Sequence, residues 1–335
     1  MLGHAAPTAL PALLGAGCRL GAPGSRNPAG LLPAATLATA PSPSGLLERV
    51  RRTVVLLENR GYALPAARLG KLCVGGPISL LEVRFAVAAS AGELREEAGL
   101  VVSPGLVPSA ARISRRAARH AEAAAAYLPE TYRFVRRLVA LCPYVLSVCI
   151  AGSLASGGFR ETDDVDLNLV VEDGRRHLAY VAVNVLAYLH AMRFRSKPVD
   201  QCTRRPLAPR LMTLNLVLER SQCFPLVRQD EAMAFELLQS VPVFGTGFLR
   251  QVLAANPGLS SAFPQLLDLA APVEVLPRRR LPTALFPAAL DRPARVLGRC
   301  AWRYMQWTRR RSPEALARVA FVRETMRPYT LFERS

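Results

Sequence analysis

Two aspartates one residue apart, Asp164 and Asp166, follow a Gly152-Ser153 pair after a spacer of ten residues. The runs on either side set their geometry. VLSVCIA (145–151) is an apolar run of buried-strand length. DVDLNLVV (164–171) alternates, with Asp164, Asp166 and Asn168 on one face and Val165, Leu167, Leu169 and Val171 on the other. Residues two apart on an extended strand have Cα atoms about 6.6 Å apart, so both carboxylates project the same way. Like charges at that spacing raise each other's pKa unless a cation lies between them. Magnesium suits the position: a hard ion that takes one or two carboxylates, several waters and phosphate oxygens. Two such ions activate an attacking oxygen and stabilise a leaving one. Gly152 lets the backbone approach a phosphate, and Ser153 adds a hydroxyl and a backbone N–H. These parts suit phosphoryl or nucleotidyl transfer. A strand-start cap built on Thr162, Asp163 and Asp164 would explain one or two of the acids, but not Asp166 inside the strand.

In order, the strand, Gly-Ser, spacer, polar-face Asp-x-Asp and following helix of GSLASGGFRETDDVDL resemble the DNA polymerase β-like nucleotidyltransferase superfamily, and a bacterial branch of it. The resemblance implies triphosphate contact by Gly152 and Ser153 and magnesium held by Asp164 and Asp166. It also implies transfer of a nucleoside monophosphate from a nucleoside triphosphate to an acceptor hydroxyl. The likeness covers about residues 46–330. After the core, LNLVLERSQCFPLVRQDEAMAFELLQSVPVFGTGFLRQVLAAN matches that branch as a strand, an Ala-x-Glu-Leu-like helix, Pro-x-x-Gly and a helix ending in Asn. The superfamily pattern further implies a third carboxylate on the strand beside the Asp-x-Asp strand. RLMTLNLVLE (210–219) is the best such strand, with Thr213, Asn215, Val217 and Glu219 alternating along it. Glu219 is the favoured third acid, Asn215 a neutral ligand in its place, and Asp200 in KPVDQC a second possibility. If none reaches the site, transfer needs a base from the substrate, or the chain is an inactive relative.

The expected fold is α+β: a nucleotidyltransferase-like mixed-sheet core with an N-terminal winged-helix-like segment and a C-terminal helical region. Residues 1–44 are rich in Ala, Gly, Pro, Leu and Ser, lack acids and lysine, and read as a disordered or mis-started extension. Residues 45–108 carry three short helical patterns, then LVVSPGLVP, where Ser103-Pro104-Gly105 reads as a hairpin turn. Three helices and a hairpin outline a winged helix, whose third helix would contact DNA. Glu82, Glu93, Glu96 and Glu97 on or near it would repel phosphate, which favours packing or protein contact. The core spans 109–222, opening on a helical stretch with Pro129 as a kink or break and His120 as a surface residue. Residues 223–335 form the C-terminal region. There Val296, Leu297, Cys300, Tyr304, Met305 and Thr308 recur at helical spacing as a core face, and Ser312-Pro313-Glu314 caps a last helix.

Composition narrows the class. Half of the 335 residues are hydrophobic, enough for a core, and no run reaches the roughly 18–20 unbroken apolar residues of a membrane span. The net charge is +18, yet lysine occurs only at Lys71 and Lys197, so nearly all the basic residues are arginine. With abundant alanine and proline, that pattern is what GC-rich coding produces, and a basic surface attracts nucleotides or nucleic acid. Seven cysteines form no CxxC pair and no Cys/His cluster, which argues against structural zinc and for a reducing, cytoplasmic setting. The partners expected are a nucleotide and an acceptor that is a small molecule, protein or RNA. DNA binding by a regulator, and nucleotide attachment to a partner protein, are the rival readings.

Overall fold

The computed structural model describes residues 43–198 and 211–309, with isolated positions 313, 316, 317, 320 and 331 beyond. The extension up to residue 42, Asp200 and most of the Ser312-Pro313-Glu314 cap lie outside the described residues. In chain order the elements are α1 (Pro43–Glu58), α2 (Ala66–Lys71), α3 (Leu80–Ala89), β1 (Arg95–Glu97), β2 (Leu100–Val102) and α4 (Val107–Leu141). Then come β3 (Val145–Ala151), α5 (Gly152–Ser156), β4 (Val165–Val171), α6 (Arg176–Ala191) and β5 (Met212–Glu219). The C-terminal part holds α7 (Glu231–Gln239), β6 (Val241–Phe244), α8 (Thr246–Ala254), α9 (Pro257–Ala262) and α10 (Asp291–Arg309). The fold is α+β, with a mixed four-stranded sheet in the order β5-β4-β3-β6.

Strand β4 is the hinge of the architecture. It pairs antiparallel with β3 and parallel with β5, so both of its edges are hydrogen-bonded. Its alternation divides two cores. Val165, Leu167, Leu169 and Val171 enter a cluster with Phe134, Val135 and Leu138 of α4 and Val183 of α6. The opposite face, through Cys149, Leu216 and Leu218, meets a cluster that holds Val50 and Val54 of α1, Leu69 of α2 and Phe235 of α7. The N-terminal helices therefore share one core with α7–α9 rather than enclosing a core of their own.

The three N-terminal helices are followed by a two-stranded hairpin, β1–β2, with Arg95 opposite Val102 and Glu97 opposite Leu100. Its turn is Ala98-Gly99, not the expected Ser103-Pro104-Gly105. Ala98 (φ 50°) and Gly99 (φ 77°) both have positive φ, as a tight two-residue hairpin turn requires. Pro104 instead opens a 3₁₀ turn that leads into α4. Helix α3 starts on a reciprocal cap. The Ser79 hydroxyl accepts from the Glu82 N–H at 3.2 Å, and the Glu82 carboxylate accepts from the Ser79 N–H at 2.7 Å.

One expectation narrows and two others change. Helix α4 runs from Val107 to Leu141 with Pro129 inside it, so of the two alternatives at Pro129, a kink or a break, the break is absent. The segment after 222 is not purely helical: β6 joins the core sheet antiparallel to β3, pairing Phe244 with Val148. The stripe on α10 is not core. Val296, Leu297, Cys300, Tyr304 and Trp307 are exposed, while Ala294 and Gly298 are buried. Among the described residues, no helix is long and apolar enough to cross a membrane.

Candidate active site

Strand β3 passes into α5 with no linker. Ala151, the last strand residue, pairs with Asp166, and Gly152, the next residue, has φ 63°. That left-handed backbone turns the chain sharply at the end of β3. A Cβ at position 152 would overlap the Asp166 carboxylate, so glycine is the residue that fits. Helix α5 ends at Gly157 (φ 94°), whose N–H bonds back to the Ser153 carbonyl. The glycine-rich bend and the second aspartate are thus one packed unit.

Asp164 immediately precedes β4 and Asp166 is its second residue. Asp166 projects from the face opposite Val165 and Leu167. Burial pushes its pKa up to about 7, the neighbouring Asp164 charge pushes the same way, and a bond from Thr213 pulls against both. Among the described residues neither Asp164 nor Asp166 forms an ion pair with an arginine or lysine. Asp163 differs: Arg116 reaches its Oδ2 at 3.1 Å, and Arg160 holds Oδ1 at 3.2 Å. The expected turn cap is therefore Asp163, and the next two acids on the polar face are left unpaired.

Beside Asp166 on β5 stands Thr213, its register partner, whose hydroxyl donates to Asp166 Oδ1 at 2.8 Å. This is where the family pattern implies a third carboxylate. Asn215 extends the polar stripe: its Nδ2 donates to Asn168 Oδ1 at 2.9 Å and to Glu236 Oε1 at 3.5 Å. Asn168 Nδ2 is buried and, among the described residues, has no hydrogen-bond partner.

Glu219 is not brought to the aspartates. It pairs with Val171, five residues along β4 from Asp166, or about 16 Å at strand spacing. A bulge also reverses the alternation of β5: Leu167 pairs with Leu214, but Asn168 pairs with Leu216, leaving Asn215 as the extra residue. Beyond it Val217, on the same parity as Glu219, enters the cluster on the α6 side. The Glu219 carboxylate accepts from the Gly174 N–H at 3.0 Å and caps the short turn that follows β5. The further acid that does lie near Asp166 is Glu236 of α7, close enough to raise its pKa, and Arg60 in the turn after α1 pairs with it at 3.3 Å. Among the described residues, no group of three or more His, Cys, Asp or Glu side chains converges as a metal site.

Lys197 was visible in the sequence only as one of two lysines. It is buried, and its Nζ donates to the Asp163 carbonyl at 2.9 Å. Burial pulls its pKa below the usual lysine range, against the charges of Asp164 and Asp163. On the other side of the bend, the Arg116 guanidinium lies 5.4 Å from the Tyr62 ring centroid, and a Cβ on Gly158 would strike that ring. His120, expected at the surface, is half-buried and its Nδ1 accepts from the Phe159 N–H at 3.1 Å, fixing the loop after the bend. A cavity of about 240 Å³ between Tyr62, Arg68 and Arg116 on one side and Ser156–Gly158 on the other adjoins the bend. A second, of about 1100 Å³, lies along α4 and the 159–162 loop. Neither is lined by Asp164 or Asp166.

Comparison with protein-family models, with curated proteins and with solved structures returned no match.

Proposed function

We propose that the chain is a magnesium-dependent nucleotidyltransferase that moves a nucleoside monophosphate from a nucleoside triphosphate to an acceptor hydroxyl. One observation carries the reading: Asp166 is a partly buried carboxylate that, among the described residues, has no ion-pair partner, packed on Gly152 of a glycine-rich bend and repelled by Asp164. Two like charges left unpaired in a partly buried position call for a cation. Their chemistry fits a hard ion that completes its shell with waters and phosphate oxygens. Asp164 and Asp166 would hold it. When bound, magnesium supplies charge neutralisation at the phosphates.

The remaining work falls to the chain's own groups. Thr213 orients Asp166 through its hydroxyl bond to Oδ1. The bend at Gly152-Ser153 offers backbone N–H groups and a hydroxyl to the triphosphate. In the reaction the acceptor oxygen forms a bond to the α-phosphorus as the bond to the bridging oxygen breaks, and pyrophosphate leaves with the electron pair. With Thr213 in place of a third acid, the acceptor's proton passes to solvent or to a basic group on the acceptor.

The same threonine favours a second reading, an inactive relative that serves as a regulator. The N-terminal helices and hairpin would then act as a winged-helix-like contact module. Helix α3 exposes Leu81 (78%) and Phe85 (54%), and Arg84 faces Glu96 at 3.6 Å, which suits a protein partner over DNA. Titrating purified protein with a labelled nucleoside triphosphate, with and without magnesium, separates the two. Transferase chemistry requires magnesium-dependent binding that Asp164→Ala and Asp166→Ala abolish, followed by label appearing in an acceptor when cell extract is added. Binding indifferent to magnesium and to both substitutions ends the transferase reading.

A further inference from the structure

Arg112, Arg115, Arg116 and Arg119 recur at helical spacing on α4, so they share one face and extend about 10 Å along the axis. Together with Arg160, from the loop before β4, they line the cavity of about 1100 Å³. Two carboxylates, Glu122 and Glu161, face five guanidinium groups there. Arg116 and Arg160 are engaged with Asp163. Arg112 reaches the Ser109 hydroxyl at 3.1 Å. Arg115 and Arg119 are exposed and, among the described residues, form no ion pair.

Like charges at i, i+4 repel one another and destabilise a helix. Charge scattered by composition alone would not gather on one face over a cavity. A polyanion relieves the repulsion. The row presents positive charge at successive points along its length, which matches a chain of phosphates better than one terminal triphosphate. The volume is at or above the upper end of the roughly 300–1,000 Å³ typical of a pocket for one small ligand. Thr162 and Pro198 are among the residues that line it, two positions from Asp164 and one from Lys197 along the chain. The cavity is walled by α4 on one side and the 159–162 loop on the other, a cleft that a flexible strand can enter.

We infer that this cleft is the track of a single-stranded nucleic acid, gripped through its phosphates with one end directed at Asp164 and Asp166. Its role as the acceptor rests on the nucleotidyltransferase reading above; the binding itself does not. Phosphate contacts position a strand without reading its sequence, so affinity is set by charge and falls with salt.

The test is fluorescence anisotropy of a short labelled single-stranded oligonucleotide with the full chain, in EDTA, over a range of salt. With three or four phosphates engaged, log affinity falls against log salt with a slope of about −2 to −3. Arg115→Glu with Arg119→Glu weakens binding at least tenfold and flattens the slope by one to two. Arg115→Gln with Arg119→Gln does so more mildly, and circular dichroism checks that both variants stay folded. Reversing Arg278 and Arg279, exposed in the connector before α10, changes affinity by less than about twofold if the cleft is the site. Equal losses from the two pairs overturn the inference, because net charge would then explain the binding. So does displacement of the oligonucleotide by inorganic tripolyphosphate at equal phosphate concentration, or equally tight binding of a duplex of the same length. Oligonucleotide binding is read in EDTA and nucleoside triphosphate binding is read with magnesium, so failure of the cleft and failure of the nucleotide site are read separately.

Discussion

The Asp166 carboxylate lies against the α-carbon of Gly152: a Cβ there would overlap Oδ2 and stand 3.0 Å from Cγ. Gly152→Ala therefore carries two penalties, a left-handed φ of 63° for a residue with a side chain and displacement of a buried acid. Together they lower stability by roughly 2–3 kcal/mol, read from denaturant midpoints at constant slope. Asp166→Ala removes the group the new methyl strikes. The double substitution should then cost less than the sum of the singles, by about 1 kcal/mol. Strict additivity would mean that bend and strand are not packed as described.

Asp166 also sets a pH dependence. Its pKa is raised to about 7 in the folded protein, first by burial and then by Asp164, against an ordinary carboxylate value near ~3.9 in the unfolded chain. Folding therefore favours the protonated form. This contribution is fully present below about pH 4 and is lost as pH rises through about 7, amounting to on the order of a few kcal/mol in metal-free protein. Asp166→Asn removes it. The difference in melting temperature between variant and wild type should grow in the variant's favour from pH 4 to pH 8. Magnesium should narrow the gap at pH 8, because an ion bound to the ionised pair stabilises the wild type alone. A constant difference across that range would contradict the buried placement.

Thr213 donates to Asp166 Oδ1 at 2.8 Å, a bond that favours the ionised carboxylate. Thr213→Val deletes it, and hydrogen bonds to charged groups contribute about 1.5–3 kcal/mol. The loss should therefore be small near pH 4, where Asp166 is protonated, and large at pH 8. Thermal melts of variant and wild type at the two pH values measure this, and an equal loss at both would assign Thr213 a packing role only.

What the sequence disclosed depends on how local the signal was. The β4 alternation, the turn at Gly152 and the strands on either side follow from period-two patterning and glycine's backbone freedom, which act within a few residues. The hairpin turn was misplaced because Ser103-Pro104-Gly105 has strong turn chemistry, while Ala98-Gly99 carries one conventional signal, the glycine. The α10 stripe looked like core because a 3.6 period reports a face, not what covers it. Lys197 and Arg116 reach Asp163, and Glu236 comes near Asp166, from across the fold, and no spacing rule reaches them. Helix α7, which bears Glu236, packs on the sheet through Phe235, a long-range contact.

Glu219 shows the same limit in one residue. Strict alternation along RLMTLNLVLE puts Thr213, Asn215, Val217 and Glu219 on a single face. A bulge at Asn215 carries no mark in the residue types, yet it turns everything after it to the other side of the sheet. Glu219→Ala is expected to leave magnesium and nucleotide binding within about twofold of wild type, since no contact links it to Asp166. It should nonetheless lower stability by about 1 kcal/mol, because the Gly174 N–H loses its acceptor and the turn after β5 loses its cap. Asp164→Ala should give the reverse pattern, with binding lost and metal-free stability unchanged or improved as a like charge beside Asp166 is removed. If Glu219→Ala instead abolished magnesium binding at unchanged stability, β5 would have to run without its bulge, and the third acid would stand where strict alternation put it.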